Sequence, residues 1–159
     1  MSTIKIKKFR EGQFGGMVNE GNLTTLRYAL DTLATGAVAN ADSAAPLAVG
    51  DVVDLGSLPA GYCLEDAQVI VSTALTAAVT GSLGFKYADG VNDADVPQDA
   101  AYFGAGLVLS AAARLRNASA KALVTLPKEA RLILTIAGAD NAKVGALVVI
   151  VHGERMGAQ

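Results

Sequence analysis

The 159 residues carry a formal net charge of −2 and a sequence isoelectric point near 5.3, so no global basic field marks the chain for nucleic acid. Apolar residues make up 52% of the chain and aromatics 5%, with no tryptophan, which is enough for the core of one domain built mainly from Ala, Val and Leu. The lone cysteine, Cys63, excludes an internal disulfide and any Cys-x-x-Cys metal site.

The first ten residues hold Lys5, Lys7, Lys8 and Arg10 and no acid, with Ile4, Ile6 and Phe9 interleaved among them. The alternation Ile4-Lys5-Ile6-Lys7 favours an extended segment over a helix. Two readings stand: a solvated tail, or an extended arm that pairs with a neighbouring subunit or an acidic surface. On the second, Ile4, Lys5, Ile6, Lys7, Lys8, Phe9 and Arg10 are the contact residues. Glu11 to Asn22 contains four glycines and reads as a linker. We therefore divide the chain into an arm and linker over residues 1–22 and a domain over 23–159.

Leu23 to Leu33 alternates, with Leu26, Tyr28 and Leu30 on one side and Thr25, Arg27, Ala29 and Asp31 on the other. That is the pattern of a half-buried strand, although Leu26, Leu30 and Leu33 also fit helical spacing. Thr35 to Val49 is a loop. The central stretch, Gly50 to Ala74, reads as strand, turn, strand. Asp51 to Leu55 forms a short β-branched run ended by Gly56, Leu58-Pro59-Ala60-Gly61 turns the chain, and Gln68 to Thr73 is β-branched again.

Ser82 to Ala88 places Leu83, Phe85 and Tyr87 inward, and Asp89-Gly90 signals a turn. Val91 to Gln98 is a polar loop. Gln98 to Gly104 is expected to form one helical turn, with Asp99 at its positive end. Leu107 to Arg116, Lys121 to Leu126, Ala130 to Ala137 and Val144 to Gly153 complete the set, with turns at Leu126-Pro127-Lys128 and Gly138 to Asn141. About eight short strands at this spacing predict an all-β sandwich or jelly roll.

The apolar run Val144 to Val151 is too short to span a bilayer, and no signal-type apolar run opens the chain. We expect a chain made and kept soluble in the cytosol, with no membrane partner. A mean hydropathy of +0.38 is high for a solitary soluble chain, which favours apolar surface covered by partners. Charge is uneven. Five acids and no base lie between Asp42 and Asp66, four acids and no base between Asp89 and Asp99, and much of the positive charge is in the arm and in Arg114 to Arg131. Such patches suit subunit steering, and equally suit ordinary solvated loops.

Candidate chemistry is sparse. His152 is the lone histidine, without a Gly-x-Ser-x-Gly nucleophile to serve, and Cys63 has no catalytic context; both read as structural, Cys63 as a small core residue. The carboxylates Asp89, Asp93, Asp95 and Asp99 resemble a calcium loop only in density, since Gln98 stands where the EF-hand glycine belongs. Gly104-Ala105-Gly106 lacks the third glycine of a dinucleotide fingerprint. Two Asn-x-Ser/Thr triplets, at Asn22 and Asn117, carry no weight without a secretory signal. No cofactor, metal or enzyme activity is expected.

Gly50-Asp51, two hydrophobic residues, Leu55-Gly56 and Leu58-Pro59-Ala60-Gly61 together form a pattern with a counterpart. With Ser82-Leu83-Gly84-Phe85, Asp99 followed by Tyr102-Phe103, and Lys143-Val144-Gly145, it resembles the capsid decoration, or cement, proteins of tailed bacteriophages. The likeness runs from about Val49 to Val151 and leaves the basic arm unmatched. The resemblance implies a β-sandwich or jelly-roll subunit, commonly a homotrimer, bound to the major capsid protein on the outer capsid surface of the virion, with no direct nucleic-acid contact. A tail or fibre component, or a carbohydrate-binding adhesion module, is the alternative; four Phe, four Tyr and no Trp argue against the carbohydrate version.

Overall fold

A computed structural model describes residues 2–5, 23–116 and 119–156. The expected arm residues Ile6, Lys7, Lys8, Phe9 and Arg10 and the linker lie outside the described residues. Ten strands follow in order: β1 (Thr3–Lys5), β2 (Leu23–Thr32), β3 (Val52–Leu58), β4 (Tyr62–Thr73), β5 (Thr80–Tyr87), β6 (Asp99–Val108), β7 (Ala113–Arg116), β8 (Val124–Thr125), β9 (Ala130–Ala137) and β10 (Gly145–Arg155). One sheet has the order β1-β3-β9-β5-β6 and the other β2-β10-β4-β7, with β8 paired to β4. Without β1 and β8 this is the eight-stranded, two-sheet arrangement of a jelly roll. The expected all-β sandwich is correct. Among the described residues no helix is long and apolar enough to cross a membrane.

Alternation decides which side chains meet between the sheets. In β2 the buried residues are Tyr28, Leu30 and Thr32, with Thr25, Arg27, Ala29 and Asp31 exposed, so the strand reading holds over the helical one. In β5, Leu83, Phe85 and Tyr87 turn inward, where Phe85, Tyr87, Tyr102 and Phe103 pack edge to face at 4.9–5.9 Å between centroids. Such pairs add about 0.5–1.5 kcal/mol each beyond area burial. Gly61, at φ 71°, closes the expected turn after β3, and its N–H donates to the Leu126 carbonyl at 2.8 Å.

Several boundaries differ from expectation. Gly56 does not end its strand, because a register shift between Asp54 and Gly56 lets β3 continue to Leu58. The helical turn expected at Gln98–Gly104 is instead the start of β6. Burial of Tyr102 against Phe85, and of Phe103 beside Tyr102, outweighs the local helix signal there, while the Asp99 carboxylate accepts the Ala101 N–H at 2.8 Å. The run Leu107–Arg116 is split. Leu109, fully buried, exchanges backbone bonds with Val79 and Leu75 between β6 and β7, as the chain passes from one sheet to the other. Of Lys121–Leu126, only Val124–Thr125 pairs as a strand.

One end of the sandwich is tied by the side chain of Asn141, which is fully buried. Its Nδ2 lies 3.2 Å from Thr32 Oγ1 and donates to the carbonyls of Gly36 at 3.3 Å and Lys143 at 2.9 Å. Its Oδ1 accepts from the Thr76 N–H at 3.0 Å and from the Thr76 hydroxyl at 3.1 Å. Gly36, at φ +85°, lies so close that a Cβ there would come within 2.0 Å of the Asn141 carbonyl oxygen. Three segments, 32–36, 76 and 141–143, thus share one carboxamide, and truncation strands several buried polar groups at once. Asn141→Ala is expected to lower the unfolding free energy by about 3 kcal/mol or more, read as a lower midpoint at unchanged slope in urea denaturation.

Candidate interaction surfaces

The N-terminal strand joins the sandwich. β1 pairs in parallel with β3, Ile4 opposite Val53 and Lys5 opposite Asp54. Ile4 is 1% exposed and belongs to the core cluster, whereas Lys5 points away from it. Two carboxylates hold the strand: Asp51 accepts the Ser2 N–H at 3.2 Å and Asp42 the Lys5 N–H at 2.9 Å. The alternation that puts Ile4 inside puts Lys5 on the outer face of the sheet.

On that outer face the Nε of Arg131 donates to both carboxylate oxygens of Asp54 at 3.0 Å, and Asp54 is 4% exposed. A charge so deeply placed is stable only when paired. Lys5 lies beside Asp54 across β1–β3, and Lys86 lies directly opposite Arg131 across β5–β9. These four side chains, with Tyr87 and Ala88, line a shallow cleft of about 390 Å³. Lys86 and the Asp54–Arg131 pair were not singled out in the sequence, because the pairing links residues 77 positions apart.

The loop from Asp89 to Gln98 is built on its own carboxylates. Asp93 Oδ1 accepts the N–H groups of Asp95 and Val96 at 3.0 and 2.9 Å, Asp89 that of Val91, and Asn92 that of Gln98. The Tyr87 hydroxyl donates to the Val96 carbonyl at 2.5 Å and ties the loop to the core. Lys128 pairs with Asp89 at 2.7 Å, Lys121 with Asp99 at 2.9 Å, and the Lys128 ammonium sits 4.6 Å from the centre of the Tyr87 ring. The hydrogen bond to Lys128 holds the Asp89 carboxyl below its usual range. Burial alone would raise Asp99, but the Ala101 N–H and Lys121 bring it below the usual range. No group of three or more metal-ligating side chains occurs among the described residues.

At the Asn141 end Leu33, Val49 and Val144 are each about half exposed (51%, 54% and 51%) on loops held by the carboxamide network. The outer face of the second sheet brings Ala29, Val148 and Ile70 into one row, flanked by Arg27, Arg114 and Arg116; Arg116 is paired with Asp66. His152 lies on this face with Nδ1 3.3 Å from Thr25 Oγ1, away from Cys63 in the register. Cys63 is half-buried and does not sit in the core, because alternation turns its neighbours Tyr62 and Leu64 inward.

No family model and no curated protein matches the chain. Solved structures do. A chain in the capsid of Ralstonia phage GP4 superimposes with a TM-score of 0.64 at 17% identity, over 99% of both chains. A chain in the capsid asymmetric unit of cyanophage Pam1 gives 0.59 at 13% identity, over 92% of this chain and 94% of the other. The fold is thus one found in phage capsids, matched almost end to end.

Two outcomes follow from this geometry. Ile4→Ala is expected to cost about 2–3 kcal/mol in chemical denaturation; no change would show that β1 is not part of the core. All four tyrosines are pushed above their usual 10.0 by burial, Tyr62 to about 12. The folded chain therefore keeps phenolic protons that the unfolded chain releases, so stability is intact below pH 10 and falls as pH rises through 10 toward 12. A spectrophotometric titration should show tyrosinate appearing together with loss of β-sheet dichroism, not before it.

Proposed function

We propose that this chain is a structural virion protein that decorates and cements the outside of a tailed-phage capsid, bridging major capsid protein subunits, most simply as a homotrimer. The observation that carries the reading is the near end-to-end match of the jelly roll to chains of two phage capsids. The residues quoted for the decoration-protein resemblance fall where that reading needs structure. Leu58 to Gly61 makes the β3–β4 turn, Leu83 and Phe85 are core, and Lys143 to Gly145 leads into β10. On this reading the chain is not an enzyme, takes no cofactor, and is made in the host cytoplasm before joining the shell.

The physical role is mass action. A ligand that binds the assembled shell and not loose subunits stabilises the shell by about 2.7 kcal/mol per site at a hundredfold excess over its dissociation constant. Standard interfaces of about 1,200–2,000 Å² supply such affinity when their centre is apolar and well packed. The apolar end with Leu33, Val49 and Val144 suits that centre, and the basic residues of the arm suit an acidic neighbour through charge. An oligomer bridging several subunits adds effective concentration to each contact.

The test is to heat particles with and without the chain and follow genome release. Decorated particles should release DNA at a higher temperature than stripped ones, and re-addition should restore the difference. Val144→Asp, at a half-exposed position, should weaken shell binding at least tenfold and leave the unfolding midpoint unchanged. Equal release temperatures would defeat cementing and favour the tail, fibre or adhesion role.

A further inference from the structure

The cleft on the outer face of the five-stranded sheet is electrostatically incomplete. Arg131, Lys86 and Lys5 surround the single carboxylate of Asp54, three cations against one anion. Arg131 is committed to Asp54 through Nε. Lys86 stands directly opposite Arg131 in the β5–β9 ladder, and like charges at that position repel each other and weaken the pairing. Among the described residues the ion pairs are Arg116–Asp66, Lys121–Asp99, Lys128–Asp89 and Arg131–Asp54, so neither Lys5 nor Lys86 has a carboxylate partner. Counted over its lining residues alone, the concave site fixed by a buried carboxylate holds a surplus of two positive charges, with the Asp42 carboxylate on the Lys5 N–H at its edge.

The acidic loop carries the opposite surplus. Of its four carboxylates Asp89 and Asp99 are neutralised by Lys128 and Lys121, leaving Asp93 and Asp95. These two line a separate depression with Gly61, Val96, Thr125, Leu126 and Pro127, which shares no residue with the cationic cleft. The loop is held in shape by the Tyr87 hydroxyl and by Asn92. Both patches adjoin the end of β5, since Lys86, Tyr87 and Ala88 line the cleft and the acidic loop begins at Asp89, but no ion pair joins Lys5 or Lys86 to Asp93 or Asp95 among the described residues.

We propose that the cleft of Lys5, Lys86 and Arg131 on one copy receives the Asp93–Asp95 loop of a second copy, so that chains associate head to tail. The inference rests on the reading of the chain as a self-associating virion subunit and names the surfaces that do it. The contact joins two unlike patches, so it is heterologous and closes into a ring when the rotation between copies allows. Being electrostatic at its centre, it is steered at long range and weakened by salt.

The test uses the isolated full chain in sedimentation velocity at tens of micromolar, in about 0.05 M and about 0.5 M salt. The wild type should sediment as an oligomer in low salt, with a dissociation constant at least tenfold higher in high salt. Lys5→Gln with Lys86→Glu turns the cleft surplus from positive to negative. Asp93→Asn with Asp95→Lys reverses the loop and keeps an acceptor oxygen at position 93 for the turn. Each double variant should keep the wild-type dichroism spectrum and lose association at least tenfold. The equimolar mixture of the two, and the chain carrying all four changes, should associate again. A wild type that is monomeric in low salt, variants that associate like the wild type, or a mixture that stays monomeric would each overturn the proposal. The particle-heating experiment reads capsid binding separately, so a monomeric wild type that still raises the release temperature defeats the patch pairing alone.

Discussion

Two of the four tyrosine hydroxyls bridge the two sheets of this sandwich, and the other two fasten a sheet and a loop. Tyr28 on β2 reaches across to the Ser57 carbonyl on β3 at 2.6 Å, and Tyr102 on β6 reaches the Leu64 carbonyl on β4 at 3.1 Å and that of Ala122 at 2.9 Å. Tyr62 spans its own sheet to the Thr24 carbonyl at 2.6 Å, and Tyr87 holds the acidic loop. Each ring fills core volume that Ala and Val leave open, and each hydroxyl meets an acceptor fixed by the ladders. A buried hydroxyl left without such a partner would cost about 1–3 kcal/mol. The approach of β2 to β3 and of β6 to β4, and the seat of the acidic loop, are fastened by these contacts. With no tryptophan and four phenylalanines, the chain has few other large groups to bridge the sheets.

Asn141 does for the far end what the tyrosines do for the middle. Loops carry few ladder bonds, and the segments at 32–36, 76 and 141–143 meet at this side chain, beside the bonds of Thr32 Oγ1 to the Lys143 carbonyl and of the Ala142 N–H to Thr76 Oγ1. The result is a hydrogen-bonded rim that carries exposed Leu33 and Val144, with Val49 beside them on the Asp140 carboxylate. Apolar groups on a preorganised rim lose little entropy when a partner covers them. The opposite end, by contrast, is dominated by carboxylates that mostly serve as turn acceptors.

Period-two alternation made β2 and β5 legible in the sequence, and apolar runs between turn signals made β9 and β10 legible. The signal failed where partner geometry decides the outcome. At Asp99 a helix-start pattern lost to the aromatic cluster, and at Gly56 a bulge carried the strand onward. The importance of Ile4 was visible only as one apolar residue in a basic run. The ion pair of Asp54 with Arg131, the crowding of Lys86 and the role of Asn141 all join residues far apart in the chain. Nothing local to an Asn in a turn distinguishes a buried hub from a solvated bend, so these features become readable only once the strand order is known.

That order also governs when the fold can exist. The strand at the centre of one sheet is β9, between β3 and β5, and at the centre of the other is β10, between β2 and β4; both come from residues 130–155. A chain emerging from the ribosome therefore exposes β2 to β6 with their inner faces unmatched until those two strands have been made. Closure at that point is a long-range event with a slow entropic search, and the unpaired edges are sticky in the meantime. A message cut short before residue 130 would yield a product with neither central strand, and one cut before residue 145 would still lack that of the second sheet. Translation through β10 is a built-in inspection step: a subunit with a finished surface has already made both of its central strands.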